Sequence, residues 1–259
     1  MPSDDLTACA QTVQQGDPDR FLAAMAAPPD TREVLFPLYA LNVEVARAPW
    51  VTQEPMIAEM RLQWWRDALE EIAQGATPRR HQVVTPLAAW LDDPACAVLD
   101  RLVLARRWDI HKEPFEDEAA FDAFLDDTAG GLIWVAARAL GAPDATEASL
   151  RDIGYAQGLA AWFRAVPALE QTGRMPLVDG RPQAVADLAR KGLARLARGR
   201  SGQGAVPPAA RAALLPAWSA AAVLKRVARD SALVVQGKAD ISPGGARLRL
   251  MLAAARGRI

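Results

Sequence analysis

The 259-residue chain is poor in side chains that enzymes commonly use as nucleophiles, proton carriers or soft-metal ligands. It has two histidines, His81 and His111, and two widely separated cysteines, Cys9 and Cys96. No CxxC pattern or Cys/His cluster exists, which argues against zinc. Neither histidine has a serine, cysteine or carboxylate partner recognisable from spacing, so nucleophilic catalysis has no support. Long apolar runs are missing as well. The longest candidates, 129–140 and 212–224, are broken by Arg138 and Pro216, and neither reaches the length of a membrane span. The acidic opening MPSDDLTACA lacks the apolar stretch of a secretory signal. The cytoplasm is the expected compartment.

Aromatic residues make up only 6% of the chain and β-branched residues are sparse, which disfavours sheet. Ala and Leu dominate the apolar half, a mix that favours helix. The punctuation fits an all-α chain. Asp19 can cap a short helix ending near Met25, and Pro28-Pro29-Asp30-Thr31 opens a helix over 32–48. In that helix Val34, Leu35, Leu38, Leu41 and Val45 form one stripe, with Pro37 predicting a kink or a late start. Pro55 begins a helix to residue 74 that carries Met60, Trp64, Leu69 and Ile72, and Gly75 stops it. Further helices are expected over 85–92, 95–110, 117–140, 146–166 (capped by Asp144), 184–198 and 208–236. A loop covers 172–183, a flexible Gly/Ser-rich segment covers 199–207, and a short basic helix lies in the tail 237–259. The remainder after residue 207 is too short to fold alone, so residues 1–259 read as one domain.

Net charge is −1, but the two ends differ. Residues 1–180 hold 15 Lys/Arg and 28 Asp/Glu, a net of −13; residues 181–259 hold 15 Lys/Arg and 3 Asp/Glu, a net of +12. Two readings stand: basic C-terminal helices pack on an acidic body, or they present a basic face to a membrane, a diphosphate or an acidic protein. Nothing supports nucleic acid, because neither interleaved aromatics nor a known motif accompanies the charge.

Several stretches together resemble the squalene/phytoene synthase family. Asp19-Arg20-Phe21-Leu22 with Pro29 to Arg32 looks like its opening, and Phe36-Pro37-Leu38-Tyr39-Ala40-Leu41-Asn42 like the approach to its first aspartate-rich motif. Arg61-Leu62-Gln63-Trp64-Trp65-Arg66-Asp67-Ala68-Leu69 resembles its Trp-Trp-Arg helix. Thr128-Ala129-Gly130-Gly131 matches a glycine site where helices approach. Gly154, Ala156 and Arg164 fall at the spacing of the second motif's helix, and Gly173-Arg174 precedes Pro176 as in the family's loop. The resemblance covers roughly residues 17–180. It implies a single-domain, isoprenoid-synthase-like helical bundle around a central cavity.

By that resemblance, the family's enzymes condense prenyl diphosphates. Such chemistry needs Mg²⁺ held by carboxylates on facing helices. Here the first motif's acidic positions, near 46, 47 and 50, hold Ala46, Arg47 and Trp50. The second motif's positions, 165 and 169, hold Ala165 and Leu169. Earlier polar positions are Gly158 and Ala161, and Pro167 is expected to shorten the helix. Glu170 is one place out of register. The degenerate-pocket candidates are Tyr39, Asn42, Glu44, Arg47, Trp64, Trp65, Asp126, Asp127, Gln157 and Arg164, with no catalytic residue and no metal ligand among them. Arg47 and Arg164 read either as anion binders or as partners of Glu44 and cavity fillers. Asp126 and Asp127 read as solvated or Arg-paired, or as lining a pocket. One of Trp64 and Trp65 belongs in the core and the other at a groove.

This pattern looks more like the branch of the family with eroded aspartate motifs, the complex I assembly type, than like an active synthase. The resemblance then implies a protein without cofactor that helps assemble a respiratory complex by contacting a subunit or assembly factor, with its basic C-terminal region peripheral to the inner membrane. Two alternatives remain open. One is a Mg²⁺-dependent prenyl diphosphate transferase with Glu44, Asp126 or Asp127 as displaced ligands. The other is a protein that binds a lipid or isoprenoid.

Overall fold

Short polar residues set most of the helix starts. In the computed structural model, which describes residues 3–52, 54–257 and 259, Ser3 opens α1 (Asp4–Gly16) by accepting the Leu6 N–H. Asp17 does the same for α2 (Pro18–Ala26) through the Arg20 N–H, so the cap is Asp17 and not Asp19. α3 (Arg32–Arg47) and α4 (Pro55–Ala73) follow, then a single turn, α5 (Val84–Leu87). Asp92 caps α6 (Asp93–Ala105) at Ala95, and α7 (Trp108–His111) is one more turn. Asp117 caps α8 (Glu118–Leu125), which runs through a π-helical turn, Asp126–Gly130, into α9 (Gly131–Ala139). The chain ends with α10 (Glu147–Gln171), α11 (Pro182–Gly202), α12 (Ala220–Arg229), α13 (Ala232–Val235) and α14 (Pro243–Arg256). The architecture is all-α, with no strand among the described residues.

α10 is the axis of the bundle. It packs against α9, α11, α12 and the π turn, and Leu150, Ile153, Tyr155, Leu159, Trp162, Phe163 and Val166 bury it on most sides. At Gly154 the contact is so close that an added Cβ would stand 2.6 Å from the Ala129 carbonyl oxygen and from the Gly130 Cα. Only glycine fits there, as the Thr128–Gly131 pattern suggests. α3 is the second central helix. Residues 35–43 are buried without a break, so its burial is wider than a single stripe, while Val34 stays partly exposed.

Several sequence expectations change. α1 was not anticipated. The 95–110 and 117–140 helices are each interrupted. α11 extends into the Gly/Ser-rich segment as far as Gly202 and a 3₁₀ turn (Gln203–Ala205) follows, while 208–236 divides into a 3₁₀ stretch (Ala210–Ser219), α12 and α13. Asp144 lies in a 3₁₀ turn and bonds Arg138 at 3.4 Å instead of capping α10. Pro37 and Pro167 each lie within a helix that continues past them. α10 reaches Gln171 because Val166 and Leu169 are buried on either side of Pro167, and tertiary packing outweighs one lost backbone bond. Met60, one of the apolar residues that α4 carries, is 66% exposed; Ala58, Leu62, Trp65 and Leu69 form its buried face.

Candidate functional site

A cavity of about 250 Å³ lies between α3 and α10, closed at the sides by α2, α7, the end of α8 and Thr128 and Ala129 of the π turn. α3 contributes Asn42 and Ala46, with Trp50 just beyond its end; α10 contributes Gln157, Gly158, Ala161, Trp162, Ala165 and Leu169. These two sets include most of the positions at which the family resemblance places acidic groups. Ala46, Trp50, Ala165 and Leu169 face the cavity and none carries an oxygen on its side chain. The cavity wall thus offers no side-chain oxygen at these positions, where the resemblance expects carboxylates.

The polar groups that do face the cavity are held by one another. Arg20 pairs with Asp17 and donates from Nη2 to Gln157 Oε1 at 3.1 Å. Its guanidinium also lies 5.8 Å from the ring centre of Tyr39. The Tyr39 hydroxyl is buried with no hydrogen-bond partner among the described residues, and burial pushes its pKa up. Asn42 and Gln157 are buried beside Arg20. Among the cavity's described lining residues the single carboxylate is Asp109, 4% exposed. Arg106 Nη1 approaches its Oδ2 at 3.4 Å, and Arg174 donates to its backbone oxygen. Burial pushes the Asp109 carboxyl up, against the opposing pull of Arg106 and Arg174. Arg174 also lies 4.2 Å over the Trp50 ring.

Phe124 and Trp162 line the cavity and belong to a larger aromatic cluster behind it. Trp108 and Phe115 stack at 4.5 Å, and Phe121, Phe124 and Trp162 pack edge-on or tilted around Phe115. The Trp162 indole is fixed by donating to the Pro176 oxygen at 2.9 Å. Among the described residues, no three His, Cys, Asp or Glu side chains converge closely enough to hold a metal ion. One carboxylate already engaged by arginine does not fit a magnesium cluster, which needs several hard oxygen ligands.

The candidate residues therefore fall in four places. Asn42 and Gln157 are in the cavity with Arg20, and Tyr39 is just behind it. Glu44, Trp64 and Trp65 belong to a separate surface groove of about 410 Å³ that also holds Ile57, Met60, Arg61 and His81. Trp65 is the core member of the pair and Trp64 the groove member, with ring centres 4.9 Å apart and Arg79 4.9 Å from the Trp64 ring. Asp126 and Asp127 lie on the π turn: Asp126 pairs with Arg151 and Arg195, each at 3.3 Å, and Asp127 with Arg101 at 3.6 Å. Burial pushes the Asp127 carboxyl up, with Arg101 opposing. Arg47 is exposed, and Arg164 pairs with Asp19 at 2.8 Å and Asp240 at 3.7 Å. Neither arginine is within salt-bridge distance of Glu44 among the described residues, so the expected pairing is replaced by a link from α10 to α2 and the C-terminal region.

Arg106 and Asp109 sit in a stretch with no motif, and in the sequence Arg174 belongs only to a loop pattern. Their meeting joins positions 65 residues apart, for which spacing gives no signal.

Two facing helices around an inner cavity, with a glycine contact bracing one of them, define an isoprenoid-synthase-like helical protein. The chain belongs to the squalene/phytoene synthase family, whose sequence model matches residues 13–178. Among known proteins it is similar to NADH dehydrogenase (ubiquinone) complex I, assembly factor 6, of Homo sapiens, with 26% identity over 170 residues, covering 61% of this chain and 48% of that protein. The Drosophila melanogaster homolog is likewise 26% identical, over 166 residues, covering 61% of this chain and 50% of the other. The chain thus spans about half the length of these curated relatives. Among solved structures, a dehydrosqualene synthase in complex with ligand superposes with a TM-score of 0.79 at 15% identity, covering 97% of this chain and 96% of that one. Squalene synthase HpnC from Alicyclobacillus acidocaldarius gives 0.71 at 17% identity, covering 90% and 94%. At these identities the structural likenesses speak to the fold alone.

Proposed function

We propose that this chain is a non-catalytic member of the family that supports assembly of respiratory complex I through a protein partner. The observation that carries the proposal is the cavity wall itself: alanine, tryptophan and leucine stand where diphosphate chemistry needs clustered carboxylates. Similarity to complex I assembly factor 6 supports the choice of complex. The protein works in the cytoplasm, peripheral to the inner membrane, with its basic C-terminal helices toward that surface. It needs no cofactor in this role.

Deleting the gene and quantifying assembled complex I in membranes tests the role. Assembly should fall and recover on complementation, and normal assembly in the deletion strain would refute it. Incubating the pure protein with Mg²⁺ and a prenyl diphosphate tests the non-catalytic part, where turnover above a protein-free control is the refuting result.

A further inference from the structure

α14 carries an outward apolar crest. At 100° per residue, Leu248, Met251 and Leu252 fall on one face, while Leu250 and Ala253 point the opposite way into the core. The three crest residues are 59%, 68% and 41% exposed, although they are large and apolar. Arginines flank the crest on both sides: Arg247 on one, Arg249 and Arg256 on the other. None of these three has a carboxylate within salt-bridge distance among the described residues. α11 pairs Lys191, Arg195 and Arg198 with carboxylates, and α12, whose Lys225, Arg226 and Arg229 also lack one among the described residues, carries no exposed large apolar side chain. Among the described residues α14 is therefore the helix that combines three such cations with exposed large apolar side chains. Leu22 and Met25 of α2, also exposed, share with Met251 an open groove of about 600 Å³ beside the crest.

An apolar crest between rows of arginine is the pattern of a helix lying in a membrane interface, with aliphatic side chains in the acyl boundary and guanidinium groups at lipid phosphates. The charge complement of three unpaired arginines is an anionic headgroup layer. We infer that α14, with the neighbouring edge of α2, docks this protein onto an anionic bilayer surface. This deepens the membrane-facing part of the reading above and names its surface. Leu250 and Ala253 anchor the helix to the body, so the crest is presented rigidly and needs no folding on binding.

The test is co-sedimentation of the full chain with vesicles of phosphatidylcholine, with and without phosphatidylglycerol at about a third of the lipid, at about 0.15 M salt. Binding should require the anionic lipid. The triple variant R247Q/R249Q/R256Q should weaken it about fivefold per arginine, on the order of a hundredfold in all. Met251→Glu with Leu252→Glu should abolish it, and Met56→Glu, on the exposed side of α4, should leave it unchanged. Circular dichroism and melting establish that each variant is folded. Equal binding to neutral vesicles, no binding to either, or an unaltered triple variant would overturn the inference. So would retention of the protein on membranes only when a protein partner is present. Vesicles contain no complex I, so this outcome is independent of the assembly assay.

Discussion

α11 and α14 are both basic helices of the same C-terminal region, and the structure uses them in opposite ways. On α11, Lys191 reaches Asp122, while Arg195 and Arg198 share Asp152, and Arg195 also reaches Asp126. The acidic α8, π turn and α10 neutralise it. On α14, Arg247, Arg249 and Arg256 face outward with no carboxylate in salt-bridge distance among the described residues, beside exposed leucine and methionine. A stretch carrying +12 is therefore two things: a structural clamp and a surface left available. Pairing distinguishes them, and net charge does not.

The comparison breaks most sharply at Asp152, whose side chain is 14% exposed and which holds two arginines. Asp152→Asn should cost about 3 kcal/mol, because it strands the partly buried Arg195 with Asp126 alone. In a chain of this length that is a melting temperature lower by about 6–10 °C in a thermal scan. A change under about 1 °C would mean that α11 is held by packing and that its ion pairs are incidental.

Glycines sharpen the same contrast. On α11, a Cβ at Gly199 would stand 2.6 Å from both Ile153 Cγ1 and the Ser149 oxygen of α10, so Gly199→Ala should destabilise by about 1–3 kcal/mol. On α14, a Cβ at Gly244 meets nothing within 4 Å, and Gly244→Ala should stabilise by about 0.5 kcal/mol through helix propensity. Chemical denaturation of the two variants reads both signs. Replacing Arg247, Arg249 and Arg256 with glutamine should change stability by less than about 0.5 kcal/mol, since these side chains lack charged partners.

Legibility in the sequence followed the range of the interactions. α4 was readable because Pro55 and Gly75 punctuate it locally, yet it has two apolar rows. One contains Ala58, Leu62, Trp65 and Leu69 and the other contains Met60 and Trp64; only the fold decides that the first is buried. The cavity wall's lack of carboxylates at the motif positions was readable because Ala46, Trp50, Ala165 and Leu169 fall at fixed spacings from Tyr39-Ala40 and Arg164, residues that carry the resemblance. The roles of Asp109, Arg106 and Arg174 were not, because a buried charge cluster formed across 65 residues leaves no periodic trace. Arg164 shows the same limit. Its partners are Asp19 and Asp240, from opposite ends of the chain, and not the motif residue Glu44. Ser3 followed by Asp4 and Asp5 is a local capping signal for α1.

The smallest expected effect asks whether the acidic body compensates a titratable group as thoroughly as it does α11. His81 sits half-buried against Trp64 and Trp65, with ring centres 5.1 and 5.4 Å away, and its Nδ1 accepts the Val83 N–H at 3.2 Å. Burial lowers its pKa below the ordinary 6.5, and Glu44 and Asp5 oppose the shift without cancelling it. The folded protein thus keeps His81 neutral at a pH where the unfolded chain protonates it. The resulting stability is present above 6.5 and is lost as pH falls through the folded value. Between pH 7 and 5 the wild type should lose somewhat more stability than His81→Asn, which keeps an acceptor for Val83 but cannot titrate. With the ring partly solvated the difference is discounted to a fraction of 1 kcal/mol, or about 2 °C in melting temperature. Parallel melting curves for the two proteins over that range would mean that Glu44 and Asp5 offset the burial completely, and that the acidic body neutralises this site as fully as it does α11.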